Sequence, residues 1–210
     1  MKWKAPPIWR GSTVFVIGGG PSVAGADLCL NYEKRRRLFE NHVIGVNNAG
    51  FLDEGVDILF FGDGKWHDWN KGRLKSHNTI IVTNNPKFEN FPRIRCLARD
   101  GAFGLISKRR DSLKWNSSSG GAAIALAALL GAKKIVLIGF DMHHVNNKKN
   151  FHVEHLERNP INAPYKRHLK CFPFIAHDAK KLGITIINTT FGSAITAFPI
   201  QSLSEVLDAL

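Results

Sequence analysis

The chain has few cysteines and no long apolar run. Its three cysteines, Cys29, Cys96 and Cys171, lie far apart and form no CxxC pair. We therefore expect buried thiols, without a disulfide framework or a metal knuckle. The longest apolar run, AAIALAALL at 122–130, is too short to span a bilayer, and the opening residues MKWKAPPIWR lack the apolar core of a signal peptide. These absences predict a cytoplasmic protein with no membrane span.

Acidic residues are the scarcer charge. The 17 Asp and Glu are outnumbered by 29 Lys and Arg, which gives a formal net charge of +12 at pH 7. The excess is concentrated in KRRR at 34–37, KWHDWNKGRLK at 65–75, KRRDSLKW at 108–115 and KK at 148–149. Each cluster alone is equally consistent with a solvated surface. Together they predict a nucleic acid or an acidic glycan as a partner, because such a field attracts polyanions.

Short β-branched runs alternate with helix-like segments. The predicted strands cover residues 13–17, 42–46, 56–61, 79–83, 134–139 and 184–188. The predicted helices cover 121–132, about 165–182, and the C-terminal SLSEVLDAL, where Ser202 and Glu205 have capping-box spacing. The alternation predicts one α/β domain over residues 1–210, Rossmann-like, with a mostly parallel sheet and helices on both faces. Residues 84–115 and 143–164 lack periodicity, and we interpret them as excursions over a sheet edge or an active site.

The first predicted strand ends in a glycine-rich turn. The sequence VFVIGGGPS places Gly18, Gly19, Gly20, Pro21 and Ser22 directly after an apolar run. Glycines at this point let backbone amides approach a phosphate, so we expect these residues to bind a nucleotide. A tight turn without a ligand is the simpler alternative.

The turn departs from the dinucleotide fingerprint GxGxxG. Val23 stands where the third glycine is expected, and the second predicted strand ends in Asn47 and Asn48 instead of an acidic residue. Both departures argue against NAD. Amide side chains still bond to a ribose or a base, which favours a mononucleotide.

Further polar residues complete the predicted nucleotide site. Asp63 and Asp141 each follow an apolar strand, at the end where open α/β sheets bind ligands. Ser118, Ser119 and Gly120 begin the central predicted helix, whose N-terminus offers N–H donors to a phosphate or carboxylate. The alternatives are a turn carboxylate for each aspartate and a plain N-cap for the serines.

Four of these segments together resemble a known superfamily. VIGGGPSV, IGVNNAGF, VDILFFGD and SSSGGAAIALAALLGAKKIVLIGFDM, spread over roughly residues 13–198, are similar to the bacterial sialyltransferases acting on lipooligosaccharide and to the archaeal 6-hydroxymethylpterin diphosphokinases. They also resemble small phage-encoded proteins of that superfamily, for which the location would be the host cytoplasm. The resemblance implies a Rossmann-like fold more firmly than a particular chemistry.

The resemblance also implies roles for single residues. Asn47, the Ser118 to Gly120 entry to the helix, and Asp141 match positions of the family pattern. Gly19 departs from it, since the sialyltransferases carry there an asparagine that contacts the nucleotide. His168 falls near the family's general base, so we expect it to be the catalytic base.

The second excursion is rich in histidine. His143, His144, His152 and His155 crowd into it without the HExxH spacing of a zinc helix, so we expect no metal and interpret some of them as lining a polar substrate pocket. His144 and His155 are the rivals of His168 as base.

The segment 65–75 combines charge with aromatic faces. The residues expected to contact an anionic acceptor are Lys65, Trp66, Trp69, Lys71 and Arg73, together with Tyr165 beside the predicted base. Trp66 and Trp69 are equally consistent with core positions.

Three functions remain open. The leading one is a nucleotide-sugar-dependent glycosyltransferase acting on an anionic acceptor, phage DNA or a glycan, with no cofactor required. Its enzymatic alternative is a pyrophosphokinase-like transferase that needs Mg²⁺ held by Asp63 and Asp141. The third is a non-catalytic nucleotide- or nucleic-acid-binding protein, which the departure at Gly19 keeps open.

Overall fold

A parallel sheet organises the part of the chain that the structure describes. The computed structural model describes residues 3–24, 32–101, 103–107, 109–152 and 165–210. Its strands are β1 (Thr13–Ile17), β2 (His42–Val46), β3 (Ile58–Phe61), β4 (Ile80–Thr83), β5 (Ile94–Cys96), β6 (Ala98–Arg99), β7 (Ser112–Leu113), β8 (Lys134–Ile138) and β9 (Thr185–Asn188). Seven of them form one sheet in the order β5-β4-β3-β2-β1-β8-β9, in which every neighbouring pair is parallel. β6 and β7 pair separately.

The predicted strands are all present. The prediction of a mostly parallel α/β sheet is therefore confirmed, although β3 begins two residues later than the predicted 56–61. The sequence does not predict β5, which has three residues inside the stretch 84–115. Pairing with β4 makes this short segment a strand, and such tertiary context has no signature in the local pattern.

Six α-helices connect or follow the strands in the described residues. They are α1 (Tyr32–Phe39), α2 (Gly64–Ser76), α3 (Ser119–Leu130), α4 (Tyr165–Leu169), α5 (Phe172–Leu182) and α6 (Leu203–Asp208). The prediction of a single helix over 165–182 is wrong. Pro173 lies in the first turn of α5, where proline is tolerated, and the helical conformation is interrupted before it, between α4 and α5. The capping box of Ser202 and Glu205 at α6 is confirmed.

The central helix α3 owes its position to its sequence. Ser118 caps it by accepting a hydrogen bond from the Gly121 amide at 2.9 Å, and Gly131 ends it in the left-handed conformation, at φ 106°. Its interior is rich in alanine and buried. Small side chains let this helix pack closely on β1, β2, β3 and β8, so its N-terminus reaches the carboxyl edge of the sheet.

Both faces of the sheet are covered. Val14, Val16 and Ile44 pack on the face that α3 and α5 cover. Phe15 and Ile17 alternate with them and pack on the opposite face, in a cluster with apolar residues of α1 and α6. The near-continuous apolar strands are what a parallel sheet buried on both sides requires.

The position of β1 determines where a ligand can bind. The chain proceeds from β1 through β5 toward one edge, then returns to place β8 and β9 on the other side of β1. Connections after β1 and β8 therefore leave in opposite directions and open a crevice at the carboxyl ends of these strands. This topological switch point lies between Gly18 and Gly139, which follow the two strands.

The described cysteines are buried thiols, as the sequence predicts. Cys96 and Cys171 are buried and free, and burial raises the pKa of the Cys171 thiol to about 12. Cys29 lies outside the described residues. In the described ranges, every helix is too short or too polar to traverse a bilayer.

Candidate active site

A cavity of about 560 Å³ opens at the topological switch point. Loops after β1, β2, β3 and β8, the N-terminus of α3, and α4 all contribute to its wall. The predicted site residues that line it are Gly18, Gly19, Gly20, Asn47, Asn48, Asp63, Trp66, Trp69, Ser118, Ser119, Gly120, Asp141, Tyr165 and His168. The structure thus brings together segments that are far apart in the sequence.

Several predicted residues do not line this cavity. Pro21 is buried in the short 3₁₀ turn after the glycines, and Ser22 faces Asp141. His144 and Lys65 are exposed outside the lining. His155 lies outside the described residues, and its role as a rival base stays a prediction.

The three glycines after β1 are used differently. The amides of Gly18 and Gly20 donate to the carbonyls of Ile138 and Gly139, at 2.7 and 2.9 Å. A Cβ atom on Gly18 would lie 2.6 Å from the Gly139 carbonyl oxygen, and one on Gly20 would lie 1.8 Å from Asp141 Oδ2. These two glycines are required by the close approach of the β1 and β8 loops.

Gly19 has no such packing requirement. A Cβ atom there would contact only Asn150 Oδ1, at 3.8 Å, within ordinary van der Waals range. Gly19 lines the cavity, so the absence of a side chain leaves space on the ligand side.

Asp63 and Asp141, at the ends of two strands, each accept hydrogen bonds that fix the neighbouring backbone. Asp141 is 2% exposed and accepts hydrogen bonds from the backbone amide and hydroxyl of Ser22, at 3.2 and 2.8 Å. Asp63 caps α2 by accepting from the Lys65 amide at 2.9 Å. Asp141 therefore positions the β1 turn. The sequence also favours Asp141 as a catalytic residue, and that role stays a prediction. Within the described ranges, no three His, Cys, Asp or Glu side chains are grouped to hold a metal.

The two asparagines after β2 have separate environments. Asn47 adopts a left-handed backbone with φ 55°, and its Oδ1 is buried without a hydrogen-bond partner. Leaving such an acceptor unsatisfied costs about 1–3 kcal/mol, and a donor on a ligand would recover it. Asn48 is buried and accepts from Trp66 Nε1 at 2.6 Å.

Trp66 is a core residue. It is 6% exposed and stacks on Phe51, as the core alternative expects, although it also lines the cavity; contact with an acceptor stays a prediction. Helix amphipathicity explains the burial, because Trp66 shares a buried face of α2 with Asn70 and Leu74. Trp69 is partly exposed and lines the cavity.

The side of the cavity near α4 is basic. Burial, Arg167 and Lys149 together lower the pKa of His168 to about 4. Burial also lowers the pKa of Lys149. His168 is therefore neutral at pH 7 and a weaker base than an ordinary imidazole, while its cationic neighbours favour an anionic ligand.

Tyr165 connects this basic side to the loop after β8. Its hydroxyl donates to the Lys149 carbonyl at 3.4 Å, and burial together with Asp141 raises its pKa. The His144 ring meets the Tyr165 ring edge-on with centroids 5.4 Å apart. Both His143 and His152 line the cavity, as the interpretation of a polar pocket expects for some of the histidines.

Arg99 and Trp115 are among the cavity residues that sequence analysis does not predict. The Arg99 guanidinium carbon lies 3.9 Å from the centroid of the Trp115 ring. Both residues belong to the stretch 84–115. Trp115 ends the basic cluster at 108–115, but no local pattern indicates its contact with Arg99, since that contact depends on how β6 and β7 pair.

The basic clusters differ in how far they are neutralised. Those on α1 form ion pairs: Arg35 with Asp53 at 2.5 Å, Arg36 with Glu40 at 2.8 Å, and Arg37 with Glu33 at 3.3 Å. On α2, Lys65, Lys71 and Arg73 are exposed, and Arg73 lies 4.0 Å over the Phe51 ring. The α2 side is the better candidate for contact with a polyanion.

The fold recurs in solved glycosyltransferases. The chain is similar to the sialyltransferase CstII from Campylobacter jejuni in complex with cytidine-5'-monophosphate, with a TM-score of 0.59 and 16% identity over 92% of this chain and 86% of CstII. CstII in complex with CMP-3FNeuAc gives a TM-score of 0.57 and 14% identity, over 91% of this chain and 86% of that one.

A second glycosyltransferase is similar over nearly the whole chain. The MAf glycosyltransferase from Magnetospirillum magneticum AMB-1 gives a TM-score of 0.66 and 13% identity over 99% of this chain, which corresponds to 37% of the MAf chain. No family model matches the sequence, and no curated protein matches it either. At these identities the comparisons establish the fold: the chain has the Rossmann-like α/β fold found in these glycosyltransferases.

Proposed function

We propose that this protein is a glycosyltransferase that takes its sugar from a nucleotide donor held in the cavity at the switch point. The observation that carries the proposal is the meeting, in one cavity, of the open turn at Gly19, the unpartnered Oδ1 of Asn47, the N-terminus of α3, and a neutral His168. The neighbours in fold, CstII and MAf, support the reaction class.

The turn and the helix would hold the donor. Gly19 offers close backbone approach, and the first amides of α3 offer N–H donors to a phosphate. The Gly121 amide already bonds to Ser118, so the amides of Ser119 and Gly120 would be the ones to bind a ligand. Asn47 would accept a hydrogen bond from a ribose hydroxyl or a base amine.

His168 would supply the general base. The acceptor hydroxyl gives its proton to the imidazole while its oxygen bonds to the anomeric carbon of the sugar. The bond from that carbon to the nucleotide phosphate breaks, and the electron pair leaves with the phosphate. Lys149 and Arg167 stabilise the negative charge that develops on this leaving group.

The acceptor is an anionic polymer in this proposal, either nucleic acid or acidic glycan. Its support is the exposed basic side of α2, which borders the cavity through Trp69. Metal-independent transfer is favoured over pyrophosphoryl transfer, because Asp63 is engaged in capping α2 and Asp141 in holding the β1 turn.

A ligand panel tests the proposal. Thermal unfolding is measured with CMP, UDP-sugars, ATP with and without Mg²⁺, and a short DNA duplex. We expect a nucleotide or nucleotide sugar to stabilise the protein without metal, by roughly 2.7 kcal/mol at one hundred times its Kd. Stabilisation only by ATP with Mg²⁺ supports the pyrophosphokinase alternative, and stabilisation only by DNA supports a non-catalytic binding protein. Either result contradicts the proposal.

A further inference from the structure

Arg99 is held in a fixed position at the edge of the cavity. Its Nε donates to the Asn84 carbonyl at 2.9 Å, and its Nη2 donates to the Gly62 carbonyl at 3.2 Å. The guanidinium plane rests on Trp115. Arginine has five N–H donors, so three of them remain for other partners after these two bonds.

Arg99 has no carboxylate partner in the described residues. The nearby acids bond elsewhere: Asp100 lies 3.8 Å from Lys114, and Asp111 pairs with Arg109 at 2.5 Å. Desolvation lowers the pKa of Arg99, but the residue as a whole is exposed, so most of its charge remains solvated. A solvent-accessible guanidinium that is fixed by two carbonyls and has no carboxylate partner leaves its remaining N–H groups open to an anionic ligand.

The same corner of the cavity contains the N-terminus of α3. A Cβ atom on Gly62 would lie 2.5 Å from the Trp115 ring and 3.1 Å from Ser119 Oγ. Gly62 therefore lets the indole and the helix start pack around the carbonyl to which Arg99 is bonded. The guanidinium, Gly62 and Ser119 all line the cavity.

This corner is separate from the basic side near α4. Gly62 follows β3, whereas Tyr165 and Lys149 adjoin Asp141, which follows β8. β3 and β8 are three strand positions apart in the sheet, which corresponds to roughly 14 Å at the usual strand spacing.

We infer that Arg99, resting on Trp115, is a second anion-binding subsite of the cavity and that the ligand carries a phosphate or carboxylate group there in addition to the one near Lys149 and Arg167. The inference rests on the proposed function for the identity of the ligand. Its chemistry depends only on a fixed guanidinium fork, which suits bidentate binding of either group.

Calorimetric titration of variants tests the subsite. Arg99→Gln removes the charge, Arg99→Lys keeps the charge but removes the fork, and Arg95→Gln is the matched control, since Arg95 is an exposed arginine on β5. The probes are inorganic pyrophosphate, cytidine, CMP and CMP-3FNeuAc. Circular dichroism establishes whether each variant is folded. If Arg99→Gln does not fold, Arg99→Lys takes its place as the test variant.

We expect Arg99→Gln to weaken binding of an anionic probe roughly ten- to a hundredfold, with cytidine unchanged and Arg95→Gln like the wild type. Arg99→Lys should lose an intermediate amount. A loss already seen with CMP identifies the group as the phosphate. A loss seen only with CMP-3FNeuAc identifies it as the sugar carboxylate.

Two outcomes overturn the inference: equal binding of all three anionic probes by wild type and Arg99→Gln, or no binding of any probe by the wild type. Binding of pyrophosphate that depends on Arg99, in a protein that no nucleotide or nucleotide sugar of the thermal panel stabilises, leaves the subsite standing and contradicts the proposed function. The two failures are therefore distinguishable.

Discussion

The three glycines after β1 lack a side chain for two different reasons. Gly18 and Gly20 make room for the loop after β8, whereas Gly19 makes room on the cavity side. The sequence places all three in one motif, but the division appears only when β8 lies beside β1. The structure also explains the departure of Val23 from the dinucleotide fingerprint, because Val23 is buried against Gly139.

Two alanine substitutions should therefore affect different properties, one the stability and the other the nucleotide affinity. Gly20→Ala forces a methyl group into the Asp141 carboxylate and should lower the free energy of unfolding by a few kcal/mol, about the size of an overpacked core site. Gly19→Ala should leave stability nearly unchanged but weaken nucleotide binding. Urea unfolding and calorimetry measure the two effects. Gly72→Ala, in open space on α2, is the control and should raise the free energy of unfolding by about 0.5–1 kcal/mol through helix propensity, without changing nucleotide affinity. Unchanged nucleotide affinity in Gly19→Ala would place the ligand elsewhere.

His168 should make stability depend on pH. Its pKa is about 4 in the folded protein and about 6.5 in an unfolded chain. Between these values the unfolded state binds a proton that the folded state does not, so the free energy of unfolding falls as pH drops from 6.5 to 4, by an amount on the order of 1–3 kcal/mol. His168→Gln should remove this component, and the exposed His144 provides the control variant His144→Gln. Parallel stability curves for wild type and His168→Gln would contradict the depressed pKa.

The same residue should be required for turnover. His168→Ala should lose on the order of 10² to 10⁴ in kcat with nucleotide affinity nearly unchanged, because the base acts on the acceptor and not on the donor. Steady-state kinetics and titration of the donor separate the two effects. Normal turnover of His168→Ala with loss in His144→Ala or His155→Ala would mean that the base has been misassigned.

At the scale of elements, buried strands were easier to predict than the helices between them. The strands have continuous apolar runs, and α3 has a cap at each end, so both are visible in the sequence. α2 was missed because its apolar positions are few and its sequence reads as a basic cluster. Its burial of Trp66 shows that a tryptophan among lysines can still belong to the core.

The two basic helices should respond differently to a polyanion. Lys65→Ala with Lys71→Ala removes two exposed cations from α2, whereas Arg36→Ala with Arg37→Ala removes the same charge from side chains already paired with acids. We expect the α2 variant to bind a short DNA duplex or heparin more weakly, with a salt slope reduced by about two. Fluorescence titration at several salt concentrations measures it. Equal losses in both variants would indicate only a general effect of net charge.

At the scale of the whole molecule, the order of strands decides which distant residues meet. Parallel pairing sends all carboxyl ends to one edge, and this rule makes the edge predictable from the sequence as the place of Asn47, Asp63 and Asp141. The rule does not extend to side chains that reach the edge from β6 and β7. Tertiary packing brings Arg99 and Trp115 to this edge, so the sequence alone does not predict their position. The sequence also does not predict the bond between Asp141 and Ser22.

The bond between Ser22 and Asp141 has a consequence for synthesis. The two residues are 119 positions apart, and the β1 turn takes its shape from Asp141 and from the carbonyls of Ile138 and Gly139. A nascent chain in which β8 has not yet left the ribosome therefore lacks the residues that fix the conformation of the glycine turn. Such a chain should emerge with the glycine motif complete in sequence but unable to bind, and the ability to bind should appear only after the chain beyond residue 141 has left the exit tunnel.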